Sequence, residues 1–307
     1  MNIHVAQHIV AMVPLLREIE RVQRLPKGYS KDKKYVLWES GKPKYLLRLS
    51  NIEFRERCQK EFDIMAKHHG RGIPCPEPYV FGIAEDSKVC YSIISYLPGQ
   101  CAEEVLPKLT EKEQFAIGVV AGQELHKLHQ FPCPEQDFDW YTRRKTKYLH
   151  RVKAAKELKL TFVRQDEIGR YVEAKLDILR DSPVRFQHDD YHPGNLIIHN
   201  GKFAGIIDFN RFDWGDPIHD FYKVPWFTCA VSIPFARGQI LGYFSGKVPR
   251  EFWHRYNLYV AMSLHGSLVW EYHNFPNELK FWQKRIKEIV NTHDFRNSGP
   301  PAWFVTS

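Results

Sequence analysis

The chain has 307 residues, 43% of them hydrophobic and 26% charged, and a formal net charge of +8 at pH 7. That size buries a substantial core and suits two lobes sharing a cleft. Six cysteines, Cys58, Cys75, Cys90, Cys101, Cys133 and Cys229, form neither metal-type pairs nor a dense disulfide framework, so they read as reduced thiols of a cytoplasmic protein.

The N-terminal segment carries Ile9, Val10, Val13, Leu16 and Ile19, interrupted by Pro14, Arg17, Glu18, Glu20 and Arg21. The pattern predicts an amphipathic helix, with no membrane span and no cleavable signal. Tyr35 to Trp38 and Tyr45 to Leu49 read as two strands of a hairpin around Ser40-Gly41-Lys42-Pro43. A helix follows from about Ile52 to His68 and carries Glu53, Glu56 and Glu61. Val89 to Leu97 reads as a strand running into Pro98-Gly99.

Beyond it the chain turns helical. Glu111 to His129 keeps a helical apolar period despite Gly118 and Gly122, each of which costs about 1 kcal/mol relative to Ala. Glycines kept at that cost predict close packing. Arg143 to Lys159 holds eight cationic residues and one acidic residue, Glu157, and reads first as a solvated helix face. An anionic acceptor or a partner surface are the other readings. The C-terminal part is aromatic, with Trp226, Trp253, Trp270, Trp282 and Trp303 expected mostly in the core.

The most informative stretch is His188-Asp189-Asp190-Tyr191-His192-Pro193-Gly194-Asn195, followed by Asp208 in Ile206-Ile207-Asp208-Phe209. Moving a phosphoryl group onto a hydroxyl needs one carboxylate to take the hydroxyl proton, and oxygen ligands to hold magnesium on the phosphates. Asp190, Asn195 and Asp208 are the groups available. Leu196 to Ile198 and Phe203 to Ile207 flank Asn200-Gly201 and predict a hairpin that brings Asn195 beside Asp208. Two oxygen donors on adjacent strand ends suit a hard cation. Pro193-Gly194 prevents the helical spacing that would turn His188 and His192 into a zinc pair, and His188 reads as a buried loop anchor.

His-x-Asp-x-His-Pro-Gly-Asn, then Ile-Asp-Phe, then Gly215-Asp216-Pro217 and Asp220, resembles the aminoglycoside phosphotransferase family of small-molecule kinases. The resemblance implies an α+β, bilobal, protein-kinase-like fold. Residues 1–97 would form a nucleotide-binding lobe, an antiparallel sheet with a helix, and residues 98–307 a mainly helical lobe with the catalytic loop and acceptor-binding helices. It implies Asp190 as catalytic base, Asn195 and Asp208 as magnesium ligands, and Asp220 as a structural brace. Pro26 to Ser30 falls where kinases place a loop over the nucleotide phosphates, with the Ser30 hydroxyl as a phosphate donor. Arg48 stands where a protein kinase has lysine, and its permanent charge and forked donors suit phosphate. Glu61, twelve residues before Ile73 in Gly72-Ile73-Pro74, is its expected partner. Backbone groups around Ser95 to Leu97 would meet the base of the nucleotide.

The resemblance therefore implies magnesium, ATP or GTP as donor, and a small hydroxylated molecule as acceptor, with no membrane or nucleic-acid partner. Glu271, within Trp270-Glu271-Tyr272, is a candidate acceptor contact beside aromatic walls, although a packed helix also accounts for it. Asp189 departs from the glycine common in the family and is expected to point away from Asp190. Only eleven residues separate Asp208 from Asp220, which leaves no room for a protein-kinase activation segment. An antibiotic, or a metabolite of the choline, homoserine or methylthioribose kind, fits the acceptor role. A non-catalytic nucleotide sensor and a basic nucleic-acid binder are the rival classes.

Overall fold

The protein is described from a computed structural model, which covers residues 3–26 and 32–305. Ser30 and most of the turn around it lie outside the described residues. No helix among those described is long and apolar enough to cross a membrane.

Helix α1 (Ile3–Met12) turns Ala6 and Ile9 into the core, and Val13 and Leu16 continue that apolar line. They pack against a five-stranded antiparallel sheet of order β1-β2-β3-β5-β4, made of β1 (Arg21–Leu25), β2 (Lys33–Glu39), β3 (Lys42–Asn51), β4 (Pro78–Ala84) and β5 (Val89–Ser95). The β2–β3 loop is only Ser40-Gly41, both at positive φ, because Glu39 pairs with Lys42. That two-residue geometry matches strand twist, and the register shift at Leu37/Trp38 admits Pro43 opposite Trp38.

Helix α2 (Arg55–His69) follows a single turn capped by the Asn51 side chain, which accepts from the Glu53 amide at 3.0 Å. Its buried residues Glu61, Ile64, Met65 and His68 recur at helical spacing. The sequence thus places one carboxylate on an otherwise core-facing stripe.

After β6 (Gln100–Cys101) come α3 (Ala102–Val105), α4 (Glu111–Leu128), α5 (Trp140–Glu157), α6 (Gln165–Lys175) and β7 (Arg185–Gln187). The hairpin β8 (Leu196–His199) and β9 (Lys202–Ile206) pairs with β6, and its loop is Asn200-Gly201 with both φ positive, as that dipeptide dictates. Strand β10 (Asp213–Gly215) pairs with β7. The chain then continues through α7 (Cys229–Val231), α8 (Ile233–Tyr243), α9 (Arg250–Asn274), α10 (Leu279–Thr292) and α11 (Ala302–Val305).

Thr110 and Glu113 close a reciprocal capping box at the start of α4. Gly118 and Gly122 on α4 face Gly238 and Gly242 on α8. A Cβ at Gly118 or Gly122 would run into the Phe235 or Gln239 carbonyl, and one at Gly238 or Gly242 into the Phe115 or Val119 carbonyl. The two backbones touch, which is what the helix-interior glycines predicted. Helix α9 is buried on most sides, with Phe252, Tyr256, Tyr259, Leu264 and Leu268 in the core.

By contacts the chain divides into two compact units. One is the chain up to Cys101 together with Asn195–Asn210; the other is Ala102–Gly194 with everything from Arg211 onward. The first holds the five- and three-stranded sheets with α2, the second the β7–β10 pair and most of the helices. This is the α+β class the sequence implied, with the β8–β9 hairpin grouped by contacts with the sheet-bearing unit.

Candidate active site

In the first unit, Arg48 sits inside β3, opposite Lys34 of β2 and Ser92 of β5, and is 9% exposed. Its Nη1 and Nη2 donate to Glu61 Oε1 and Oε2 at 2.5 and 3.1 Å. This fork is the geometry that distinguishes arginine from lysine. Asp32 lies 3.6 Å from the guanidinium and accepts the Ser50 hydroxyl at 2.7 Å. Burial opposes the Arg48 charge, but Glu61, Asp208 and Asp32 more than offset it and raise its pKa.

The hairpin delivers Asn195 and Asp208 to the same end of the β8–β9 pair. Leu196 stands opposite Ile206, and the Ile207 amide donates to the Asn195 carbonyl at 3.0 Å. Asp208 has a φ of +69°, and the Asn210 side-chain Nδ2 donates to its Oδ1 at 2.5 Å. Asparagine and carboxylate oxygens, with the carboxylate near enough to Arg48 for its charge to act there, are a fitting donor set for a hard cation on phosphates.

Ser95 is partly engaged within the sheet-bearing unit. Its backbone amide donates to the Glu77 carbonyl at 2.8 Å, and the Tyr96 amide to the Lys44 carbonyl at 2.9 Å. Pairing within the first unit has therefore taken the Ser95 and Tyr96 amides, which narrows the backbone groups between Ser95 and Leu97 that are left for a base.

In the second unit, Asp220 is fully buried and braces the loop. Its Oδ2 accepts the His188 amide at 2.8 Å and its Oδ1 the Asp189 amide at 2.7 Å, while His129 Nε2 lies 3.1 Å from Oδ2. His129 in turn contacts the Tyr243 hydroxyl at 2.9 Å, so it serves as a buried hydrogen-bonding residue.

The adjacent carboxylates diverge. Asp189 adopts φ +55°, a conformation that costs a non-glycine residue about 1 kcal/mol, and lies 3.3 Å from His219 Nδ1. Burial would raise the Asp189 pKa, but His219, Lys223 and Lys147 hold it at about 2. Burial and Arg144 push His219 down to about 4. Asp190 instead meets Lys223 Nζ at 2.8 Å, with His192 Nε2 and Arg211 Nη1 each at 3.7 Å, all three at Oδ1. Burial pushes against its charge; His192 and Lys223 reverse that and lower its pKa well below the usual carboxylate range. Lys223 is the nearest of the three groups, and sequence reasoning had not singled it out.

Asp189, His219 and Asp220 bring possible ligand atoms within 4.8 Å of one another. The Asp220 carboxylate is already engaged by two amides and His129, and Arg144 and Lys147 charges bear on His219 and Asp189. The group reads as a brace for the loop. Glu271 is buried in α9, between Trp270 and Tyr272, which are 40% and 39% exposed. Burial and the nearby Glu278 push its pKa up to about 7. In α5, exposed Arg143 pairs with half-buried Asp213 at 2.6 Å, and exposed Lys153 with exposed Glu157 at 3.8 Å.

The sequence profile of the phosphotransferase enzyme family matches residues 21–258. The chain belongs to that family. The match spans Arg48, Glu61, the His188–Asn195 loop, Asp208 and Asp220. No curated protein sequence matches the chain. Among solved structures, the gentamicin complex of APH(2")-IIa is similar at 17% identity and a TM-score of 0.67, covering 100% of this chain and 99% of that one. ADP-bound aminoglycoside phosphotransferase APH(2'')-Ib is similar at 17% identity and a TM-score of 0.66, over 100% of both chains. The GDP complex of wild-type aminoglycoside 2'-phosphotransferase-IIIa gives 17% and 0.69, over 93% of this chain and 97% of that one. At such identities the likeness establishes the fold, a kinase-like α+β architecture shared by this member of the family.

Proposed function

We propose that the protein is a magnesium-dependent kinase that moves the γ-phosphoryl group of ATP or GTP to a hydroxyl of a small molecule. The observation that carries this reading is the preservation of both halves of the chemistry. A buried Arg48–Glu61 pair stands beside the charge of Asp208, and Asp190 sits on a loop whose amides are fixed by Asp220.

In this reading Asp190 orients the acceptor hydroxyl and takes its proton. Its low pKa keeps it ionised throughout the physiological range. Arg48, held by Glu61, steadies the nucleotide phosphates, Leu97 meets the base, and Ser30 contributes a phosphate donor. Asn195 and Asp208 would hold magnesium, whose charge neutralises the phosphate oxygens. The structures of similar fold that carry ADP or GDP support a nucleotide donor.

The first acceptor class to test is an aminoglycoside, on the strength of the similar structure that carries gentamicin. A hydroxylated metabolite is the second, favoured by the cations beside Asp190 and along α5, which suit a polycation poorly. Glu271 is proposed as an acceptor contact. A non-catalytic nucleotide sensor is disfavoured, since Asp190, Asn195 and Asp208 are all retained.

The test is magnesium-dependent transfer from labelled ATP and GTP to a panel of aminoglycosides, macrolides and hydroxylated metabolites. Asp190→Ala should lower turnover by at least about a hundredfold with nucleotide binding nearly intact. Asp208→Ala should weaken magnesium-nucleotide binding. Near-normal turnover in the first variant, or unchanged nucleotide affinity in the second, removes that residue from its role.

A further inference from the structure

We infer that Lys223 is the positioning residue for Asp190, holding one carboxylate oxygen so that the carboxylate presents itself to the acceptor in a fixed orientation. The inference rests on Asp190 being the base, as proposed above.

The geometry begins with a turn, Pro217–Tyr222, capped by Asp216, whose Oδ1 accepts the Ile218 amide at 2.9 Å. Asp220 in that turn fixes the main chain at residues 188 and 189. Lys223, the next residue after the turn, reaches the side chain at residue 190. One short element therefore grips both the backbone and the carboxylate of the same loop. Relative motion between the two grips is limited to three residues of a hydrogen-bonded turn, in which the Lys223 amide donates to the Asp220 and Phe221 carbonyls.

The setting of Lys223 is costly for a lysine. It is 5% exposed, and its ammonium lies 5.2 Å from the ring centres of both Tyr222 and Phe227. Withdrawing an ammonium from water is costly, and an apolar side chain would pack against those rings without that penalty. Burial works against its charge, and Tyr222, Asp190 and Asp189 together raise its pKa against that burial. Arg211 and His192 lie 3.7 Å from the same oxygen, and His192 is itself stacked on Phe227 at 4.9 Å. Lys223, at 2.8 Å, is the shortest of the three contacts and a hydrogen bond.

The choice of lysine has a chemical sense. Arginine's fork would engage both carboxylate oxygens, whereas a single ammonium takes one. During transfer the acceptor proton passes to Asp190 and the acceptor oxygen–phosphorus bond forms. The bond from the γ-phosphorus to the β-bridging oxygen breaks, and its electron pair stays on the nucleoside diphosphate. Lys223 remains protonated throughout. It lowers the basicity of Asp190, so its contribution is orientation and constant ionisation, not proton affinity.

The test uses the full chain and two readouts. One is hydrolysis of magnesium-ATP and magnesium-GTP, with water as acceptor. The other is amidation of Asp190 by a carbodiimide and glycinamide, read by peptide mass spectrometry against exposed Glu111 and Asp181. Lys223→Met should speed Asp190 labelling at least about tenfold, since each unit by which the pKa of Asp190 recovers raises its protonated, reactive fraction tenfold. It should also lower turnover by about a hundredfold, the scale of a misplaced catalytic group, with the nucleotide KM unchanged. Lys223→Arg keeps the charge and should keep labelling slow.

Labelling of Asp190 in the wild-type protein as fast as at Glu111 overturns the inference without any variant. So does wild-type labelling in a folded Lys223→Met protein. Loss of turnover in Asp190→Asn alongside wild-type labelling and turnover in Lys223→Met removes Lys223 alone. Unchanged turnover in Asp190→Asn instead refutes Asp190 as base, and the inference falls with it.

Discussion

Replacing Glu61 by alanine should destabilise the protein by about 3 kcal/mol. Removing one partner from a buried ion pair costs about 3–5 kcal/mol, because the other charge stays desolvated and uncompensated. Both residues qualify as buried, with Arg48 9% and Glu61 3% exposed. Arg48 has no reserve of hydrogen bonds, since its Nε is already buried without a partner among the described residues. Asp32 at 3.6 Å remains to answer part of the charge. That second carboxylate sets the expected cost at the lower end of the range.

Stability and function separate in the double replacement Arg48→Met with Glu61→Leu. Exchanging both charges for apolar groups of similar volume is neutral or stabilising in many buried pairs, so the double variant should return to within about 1 kcal/mol of wild type. Asp32 keeps the Ser50 hydroxyl and is not stranded. Magnesium-ATP affinity should nonetheless fall at least about tenfold, the equivalent of one charge-assisted hydrogen bond to phosphate. Urea unfolding and nucleotide titration of the single and double variants are the assays. A loss under about 1 kcal/mol for Glu61→Ala would mean the pair is effectively solvated. Wild-type nucleotide affinity in the double variant would refute the role of Arg48.

Gly122→Ala should lower stability by at least about 1 kcal/mol net, because overpacking against the Gln239 backbone outweighs the roughly 1 kcal/mol gained in helix propensity; a raised melting temperature would contradict the α4–α8 contact. Asp220→Ala strands the His188 and Asp189 amides and should cost at least about 2 kcal/mol, with turnover falling more than nucleotide affinity; unchanged melting and turnover would show that the loop holds without this brace. Glu271 gives a pH signature. Its folded pKa of about 7 lies above the ordinary carboxyl value of 4.5, so the folded state binds the proton more tightly and stability falls as pH rises from about 4.5 through 7. With allowance for nearby solvent the loss is on the order of 1–2 kcal/mol. Glu271→Gln should flatten that slope and melt higher than wild type at pH 8, and an unaltered pH dependence would rule out the burial of an ionised Glu271.

Local rules made much of the frame legible. The Asn200-Gly201 turn, the strands on either side of it and the helix carrying Glu61 follow from periodicity and turn chemistry, and the two helix-interior glycines Gly118 and Gly122 mark a real backbone contact. What stayed hidden depends on partners far apart in sequence. Ser95 looked available until pairing with Glu77 consumed its amide. Asp32 gave no signal because its role arises only when β2 and β3 bring it to Arg48. Lys223 did leave a trace in the sequence. It is a single cation in the run Phe221-Tyr222-Lys223-Val224-Pro225-Trp226, where apolar neighbours forecast burial and a buried lysine demands an anion. A lysine placed three residues after the aspartate that braces a loop, inside an apolar run, therefore asks which carboxylate it faces, and Asp190 on the braced loop is the answer the structure supplies.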